Sequence, residues 1–216
     1  MIQMENVTYS YEKGYGIKNV NFTIDDSEFT FLIGPTGSGK TTIMKLIYMA
    51  MFPQSGVVTT GKFRSDKIKK RKIPFLRRKI GMIFQDYHLL RDRNLYENIA
   101  LPLYVIGTRH IDIAERVEDV IDLVGLTGKE EHSPDELSGG EQQRTAVARA
   151  VVVEPNLILA DEPTGSLDRL TASEVFNLLV GLRSKKRSII FATHNRELAE
   201  LADYKLRLFD GKVRVE

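Results

Sequence analysis

A chain of 216 residues with 42% hydrophobic composition carries enough apolar material for one full core, so a single compact domain is expected, with room for a smaller helical insertion. Its 31 basic and 29 acidic residues leave a net charge of +2, which creates no global field toward a polyanion such as nucleic acid. The absence of cysteine excludes a disulfide framework and thiolate metal sites, no apolar leader marks the N-terminus, and no window approaches the roughly 20 apolar residues that span a bilayer, so a cytoplasmic chain that reaches a membrane only through a partner is expected.

Residues 1–9 alternate enough to predict a strand, Gly14 and Gly16 mark a turn, and residues 17–24 predict a second strand. A third strand is expected in the apolar run 29–33, and residues 42–51 read as a helix. Residues 56–79 are basic (Lys62, Arg64, Lys67, Lys69, Lys70, Arg71, Lys72, Arg77, Arg78, Lys79) and lack sustained apolar periodicity. They read as a solvated face or loop, with contact to a partner or to anionic lipid head groups as the other reading.

A short buried strand is expected at 80–84, ending at Gln85, and residues 92–106 are apolar with tyrosines and Pro102. Ile111, Ala114, Val117, Ile121 and Val124 then recur at helical spacing until Gly125 stops the run. After Gly139 and Gly140, residues 141–153 predict a helix that ends before Pro155. A strand at 157–160, a helix at 170–182, a strand at 188–192 and a short helix at 196–202 follow, and 204–209 with 212–215 close as a hairpin through Asp210-Gly211. Strands alternating with helices predict an α/β sandwich around a largely parallel sheet.

Three stretches carry chemistry. The first is GPTGSGKT, comprising Gly34, Pro35, Thr36, Gly37, Ser38, Gly39, Lys40 and Thr41, set between a strand and a helix that opens at Thr42. That order is what a phosphate-binding P-loop requires: the glycines free the backbone to turn its N–H groups onto an anion, and the helix start adds partial positive charge. Lys40 would set a point charge against the β- and γ-phosphates, and the Thr41 hydroxyl would ligate the bridging Mg²⁺. The second stretch, LILADEP at 157–163, is a buried strand delivering two acids at its C-terminal end, where an α/β sheet places its ligand. Asp161 would hold Mg²⁺ through water, and Glu162 would polarise an attacking water.

The third, LSGGEQQR at 137–144, sets Ser138 and the Gly139 and Gly140 amides at a helix start, which makes a second anion site. That site is surplus to one chain unless it serves another nucleotide. The octapeptide, and its order relative to the other two motifs, resembles the ATP-binding cassette (ABC) ATPases, and the resemblance covers essentially the whole chain. It implies an α/β P-loop NTPase fold: a RecA-like core with an N-terminal antiparallel β subdomain (about 1–88 and 155–216) and an inserted helical subdomain (about 89–154) that bears the signature. It also implies two cassettes packed head to tail, in which Lys40, Thr41 and His194 of one copy share the γ-phosphate with Ser138 and Gly140 of the other, so that ATP holds the dimer closed.

Family positions transfer one by one. Gln85 fits the Q-loop glutamine, a contact for Mg²⁺ or the attacking water, and His194 fits the switch histidine. Ser166, Leu167 and Asp168 fit the D-loop, with Asp168 linking the two sites. Tyr11 fits the aromatic that stacks on adenine, although Tyr9 and Tyr15 stand close by. Residues 80–107 and LADEPTGSLD are most similar to a small bacterial group that serves cell division, lipoprotein release and efflux, above all to its division branch. That likeness implies a stand-alone ATPase subunit peripheral to the cytoplasmic face of the membrane, an ATP-dependent homodimer, and the membrane protein FtsX as partner. In the family, the stretch after the Q-loop meets the membrane subunit, so Phe84, Tyr87, Leu89, Leu90 and Leu95 are candidates for an apolar docking cleft, or equally for the core of the helical part. A mechanical role on chromosomes or ribosomes would need a long coiled-coil insertion or two cassettes in one chain, and a catalytically dead scaffold would need a broken motif; the sequence has none of these.

Overall fold

The computed structural model describes residues 1–12, 14–184, 187–195 and 204–215. In chain order these form β1 (Ile2–Ser10), β2 (Gly16–Ile24), β3 (Phe29–Ile33), α1 (Lys40–Ile47), β4 (Ser55–Thr60), β5 (Phe63–Arg64), α2 (Ile73–Arg77) and β6 (Ile80–Ile83). There follow α3 (Leu95–Ile106), α4 (His110–Leu123), α5 (Gly139–Val151), β7 (Leu157–Asp161), α6 (Arg169–Gly181), β8 (Ser188–Thr193), β9 (Tyr204–Phe209) and β10 (Lys212–Val215). The short helix expected at 196–202 lies outside the described residues.

Two sheets form. One is antiparallel, in the order β2-β1-β4-β5; the other runs β10-β9-β3-β8-β7-β6, parallel throughout except for the closing β9–β10 hairpin. β3 and β8 are buried at every position because both faces of the parallel sheet are covered. Their side chains alternate between two cores, as period 2 dictates. Phe31, Ile158 and Phe191 face α3 to α6, while Leu32, Leu159 and Ile190 face α1 and the antiparallel sheet. On the first side the rings of Phe31 and Phe191 meet tilted at 5.2 Å, with Phe176 of α6 edge-on to Phe191.

Most expected elements appear with ends shifted by a few residues. The helix expected at 42–51 begins at Lys40, directly on the glycine turn, and ends before Tyr48 because Met49 takes a left-handed φ of 54°. The closing hairpin turns on Asp210 and Gly211, both at positive φ as a two-residue turn requires. Residues 56–79 differ from the loop expected of them. β4 pairs with β1 across some 55 residues of chain (Met4 opposite Val58), and α2 is held by Leu76, 2% exposed. Such pairing is nonlocal, and a short strand with only Val57 and Val58 as apolar residues carries little periodic signal of its own.

Candidate active site

Neighbouring strands β3, β8, β7 and β6 all point the same way, so their C-terminal ends present one row of loops. Residues 34–41 follow β3, His194 follows β8, Asp161 and Glu162 end β7, and Gln85 follows β6. A cavity of ≈ 390 Å³ opens there, lined by Tyr11, by Thr36, Gly37, Gly39, Lys40, Thr41 and Thr42, and by Gln85, Glu162 and His194. Motifs up to about 160 residues apart in sequence thus meet at the edge where a parallel sheet places a ligand.

The loop is built to receive an anion. Gly39 caps α1 at φ 110°, and a Cβ there would stand 2.6 Å from Ile17 Cγ2, so only glycine fits. No side chain caps α1 and no acid lies in its first turn, which leaves its N-terminal amides and positive dipole end free for phosphate. Ser38 Oγ is buried without a hydrogen-bond partner among the described residues, while Pro35 and Thr36 are exposed at the loop tip. Lys40 Nζ, 6% exposed, donates to the Gly34 carbonyl at 2.7 Å and the Pro35 carbonyl at 3.2 Å, and pairs with Glu162 Oε1 at 3.1 Å.

Glu162 sits at the sharp exit from β7 with a left-handed φ of 50°, its amide donating to the Ala192 carbonyl at 3.0 Å. Its second oxygen lies 2.8 Å from His194 Nδ1. A residue held in αL at such a turn costs of order 1 kcal/mol or more, and is retained where it aims a side chain. Beside it, burial pushes the Asp161 carboxyl above the usual aspartate range; the Thr41 hydroxyl donates to it and opposes the shift, and the Glu162 charge adds to it. Asp161 Oδ1 is buried with no hydrogen-bond partner among the described residues. An orphaned carboxylate oxygen next to the Thr41 hydroxyl, with Gln85 on the same cavity wall, fits a hard cation such as Mg²⁺.

Tyr11 stands at the rim, 40% exposed, its hydroxyl 3.2 Å from Thr42 Oγ1 and its ring edge-on to Tyr9 at 5.0 Å. Tyr15 is 74% exposed and does not line the cavity. Ser138, Gly139, Gly140 and Asp168 do not line it either. Ser138 caps α5 in a reciprocal box: its Oγ accepts from the Glu141 amide at 3.4 Å, and its own amide donates to Glu141 Oε2 at 2.8 Å. Hydrogen bonds from Lys129 and Ser138 hold the Glu141 carboxyl down at about 2. Asp168 caps α6, accepting from the Leu170 and Thr171 amides and from the Thr171 hydroxyl at 2.6 Å.

Three residues that sequence reasoning misplaced or passed over tie these parts together. Tyr87, expected in a docking cleft, instead places its hydroxyl 3.1 Å from Ser166 Oγ and against Gly139, where the stretch after Gln85, the turn before Asp168 and the start of α5 converge. Arg149 of α5 donates to the carbonyls of Tyr87 and His88 at 2.7 and 2.6 Å. Buried Asn98 binds the backbone of Leu90, Arg93 and Asn94. A polar residue on the apolar side of a helix, as at Asn98, was the one local signal available.

The cleft itself exists as an apolar groove of ≈ 630 Å³, with Phe84 and Leu90 in its lining as expected, joined by Leu101, Pro102, Val105 and Pro74. Leu95 belongs elsewhere, being fully buried in the helical core, and Leu89 is half-buried outside the lining. No helix among the described residues is long and apolar enough to cross a membrane.

Comparison with known proteins agrees with this geometry. A family profile described as ABC transporter matches residues 17–165. The chain is 44% identical to the cell division ATP-binding protein FtsE of Mycobacterium tuberculosis over 202 residues, 93% of this chain and 88% of that protein. It is 42% identical to FtsE of Escherichia coli over 213 residues, 98% and 96% of the two chains. Among solved structures, the ATP-binding cassette MJ0796, a dimer in a post-hydrolysis state bound to ADP and Pi, superposes with a TM-score of 0.90 at 32% identity, covering 100% of this chain and 98% of that one. A second dimeric structure of MJ0796, described as a bacterial ABC transporter cassette, gives 0.89 at 34% identity.

Proposed function

The chain belongs to the ABC transporter family as an ATP-hydrolysing cassette, and from that premise we propose that two copies close head to tail on ATP to drive an integral membrane partner. One observation carries the reading. The cavity holding Lys40, Glu162 and His194 has no wall from Ser138, Gly139 or Gly140, although Ser138 and Gly139 lie exposed at the start of α5. A second copy that brings its signature residues over the γ-phosphate completes both sites at once.

Within each site the roles follow from position. The loop amides and Lys40 bind and orient the phosphates, and Tyr11 meets the adenine. Asp161, Thr41 and Gln85 would hold Mg²⁺, which when bound neutralises charge on the transferring phosphoryl group. Glu162 accepts the proton of the attacking water, and His194, whose Nδ1 lies 2.8 Å away, orients that carboxylate and presents the rest of its ring to the γ-phosphate. Asp168 connects the paired sites. Binding thereby closes the dimer and hydrolysis releases it.

The relatives at 40–44% identity bear the name of a cell division protein, which supports FtsX as the partner and activation of cell-wall hydrolysis as the output. The apolar groove beside Phe84 and Leu90 is the docking place, residues 89–154 are the helical unit that moves with it, and the protein is peripheral to the cytoplasmic face. Co-expression with FtsX and with the membrane subunits of lipoprotein-release and efflux systems tests this. Co-purification with FtsX alone is expected, with loss on changing Val105→Glu in the groove. Preferential capture by either of the other subunits replaces the division role with that one.

A further inference from the structure

Residues 62–79 concentrate charge in a way the nucleotide site does not require. Ten bases stand against Asp66 alone, so the segment is +9 in a chain of net +2 and the remainder is −7. All ten are exposed. Arg64 pairs with Asp66 at 3.1 Å, and Arg77 donates to the carbonyls of Tyr48 and Met49. The other eight make no ion pair with any carboxylate among the described residues, and of them Lys67 alone helps to lower the Asp66 carboxyl, so little of their mutual repulsion is compensated there.

The bases also sit on a fixed platform. A 3₁₀ turn, Lys70–Lys72, runs directly into α2, which Leu76 roots in the core with Ile68 packed against the same cluster. Phe75 of that helix points outward, 49% exposed, with Lys72 Nζ 5.1 Å and the Arg78 guanidinium 5.3 Å from its ring centre. A ring set among cations on a helix anchored from behind is the composition of a membrane-interface contact, where the ring enters the head-group layer and the cations meet phosphates. α2 also forms one wall of the apolar groove, through Pro74 and Arg77, and across the groove Val105 is 63% exposed. The basic platform and the groove therefore open on one side of the molecule.

We infer that residues 62–79 bind directly to an anionic phospholipid surface, with Lys69, Lys70, Arg71 and Lys72 on head-group phosphates and Phe75 seated between them. This adds a second attachment to the one through a membrane protein and does not depend on nucleotide chemistry. An acidic protein segment would satisfy the bases but gives no role to the exposed ring.

The test is co-sedimentation of the purified full chain with vesicles of phosphatidylcholine alone or with about 30% phosphatidylglycerol, at low salt and at about 0.15 M salt. Binding to the anionic vesicles only, weakened by salt, is expected. The combined change Lys69→Glu, Lys70→Glu, Arg71→Glu and Lys72→Glu lowers that binding by more than about 100-fold. Phe75→Ser lowers it by about 5-fold. Both variants keep the ATPase rate of the unmodified chain, which shows that they fold. Equal binding to neutral vesicles, or binding indifferent to the fourfold reversal, overturns the inference. Capture of soluble polyglutamate without any vesicle binding also overturns it and assigns the platform to an acidic protein segment.

Discussion

Glu162 Oε1 lies 3.1 Å from Lys40 Nζ, and both groups are nearly closed to solvent at 14% and 6% exposure. The cation of the phosphate loop is thus paired with the residue assigned as the base. An entering phosphate competes with that carboxylate for Lys40, and once displaced Glu162 keeps His194 as its neighbour. Changing Glu162→Gln removes the competing charge and the proton acceptor together. The variant is expected to bind ATP at least as tightly as the unmodified chain, to hydrolyse it at least about 100-fold more slowly, and to accumulate as a dimer on gel filtration with ATP. Turnover near that of the unmodified chain would refute the assignment.

Gly140 and Thr171 set the spacing between α5 and α6. A Cβ at Gly140 would come 2.4 Å from Thr171 Cγ2, and Thr171 also holds Asp168 through its hydroxyl. Gly140→Ala is therefore expected to push α6 and the Asp168 turn away from the start of α5. Nucleotide affinity of the isolated chain, which depends on the other cavity, stays within about 2-fold, while ATP-driven dimerisation and hydrolysis fall at least about 10-fold. Adding Thr171→Ser deletes the obstructing methyl but keeps the hydroxyl, and is expected to restore part of the loss. Light scattering with and without ATP reads both effects.

How much of this was legible in sequence follows from how local each cause is. The turn at residues 34–41, the helix start at Ser138 and the Asp210-Gly211 hairpin are each dictated by neighbours in the chain, and each appears in the structure. Glu162 could be placed because the buried strand before it announces itself as an apolar run, whereas the role of His194 rested on the resemblance to ABC ATPases. β4 could not, since its place is set by pairing with β1, and neither could the contact of Tyr87 with Ser166 across 79 residues. Leu95 and Phe84 look alike as apolar residues near the Q-loop; only the course of α3 decides that one fills the core and the other lines the groove.

Glu141 supplies a test of stability against pH. In the folded chain its carboxyl is held at about 2, below the ordinary value of 4.5, first by Lys129 and then by the Ser138 amide. The unfolded chain takes up a proton as the pH falls through 4.5, whereas the folded chain resists until about 2. This contribution is complete above pH 4.5 and drains away between there and about 2. Glu141→Gln keeps the reciprocal cap but loses the ion pair. It is expected to cost about 1 kcal/mol at neutral pH and to flatten the loss of stability across that acid window, as read from urea midpoints at a series of pH values. An unchanged slope would remove the Lys129 pair from the account.

Arg149 separates positioning from structure. Its fork donates to two successive carbonyls, those of Tyr87 and His88, whose φ values of 56° and 50° are both left-handed. Burial pushes the guanidinium below the usual arginine range, so these two carbonyls are what compensate a desolvated cation. Gln85 lies two residues before the strained pair, and its aim into the cavity depends on how that turn is held. A lysine cannot fork to both oxygens, so Arg149→Lys is expected to lower stability by about 2 kcal/mol and turnover by at least about 10-fold. ATP affinity should hold within about 2-fold, since the phosphate loop is untouched. Turnover that falls only in step with the fraction of folded protein, measured by unfolding at the assay temperature, would leave Arg149 a structural strut with no part in aiming Gln85.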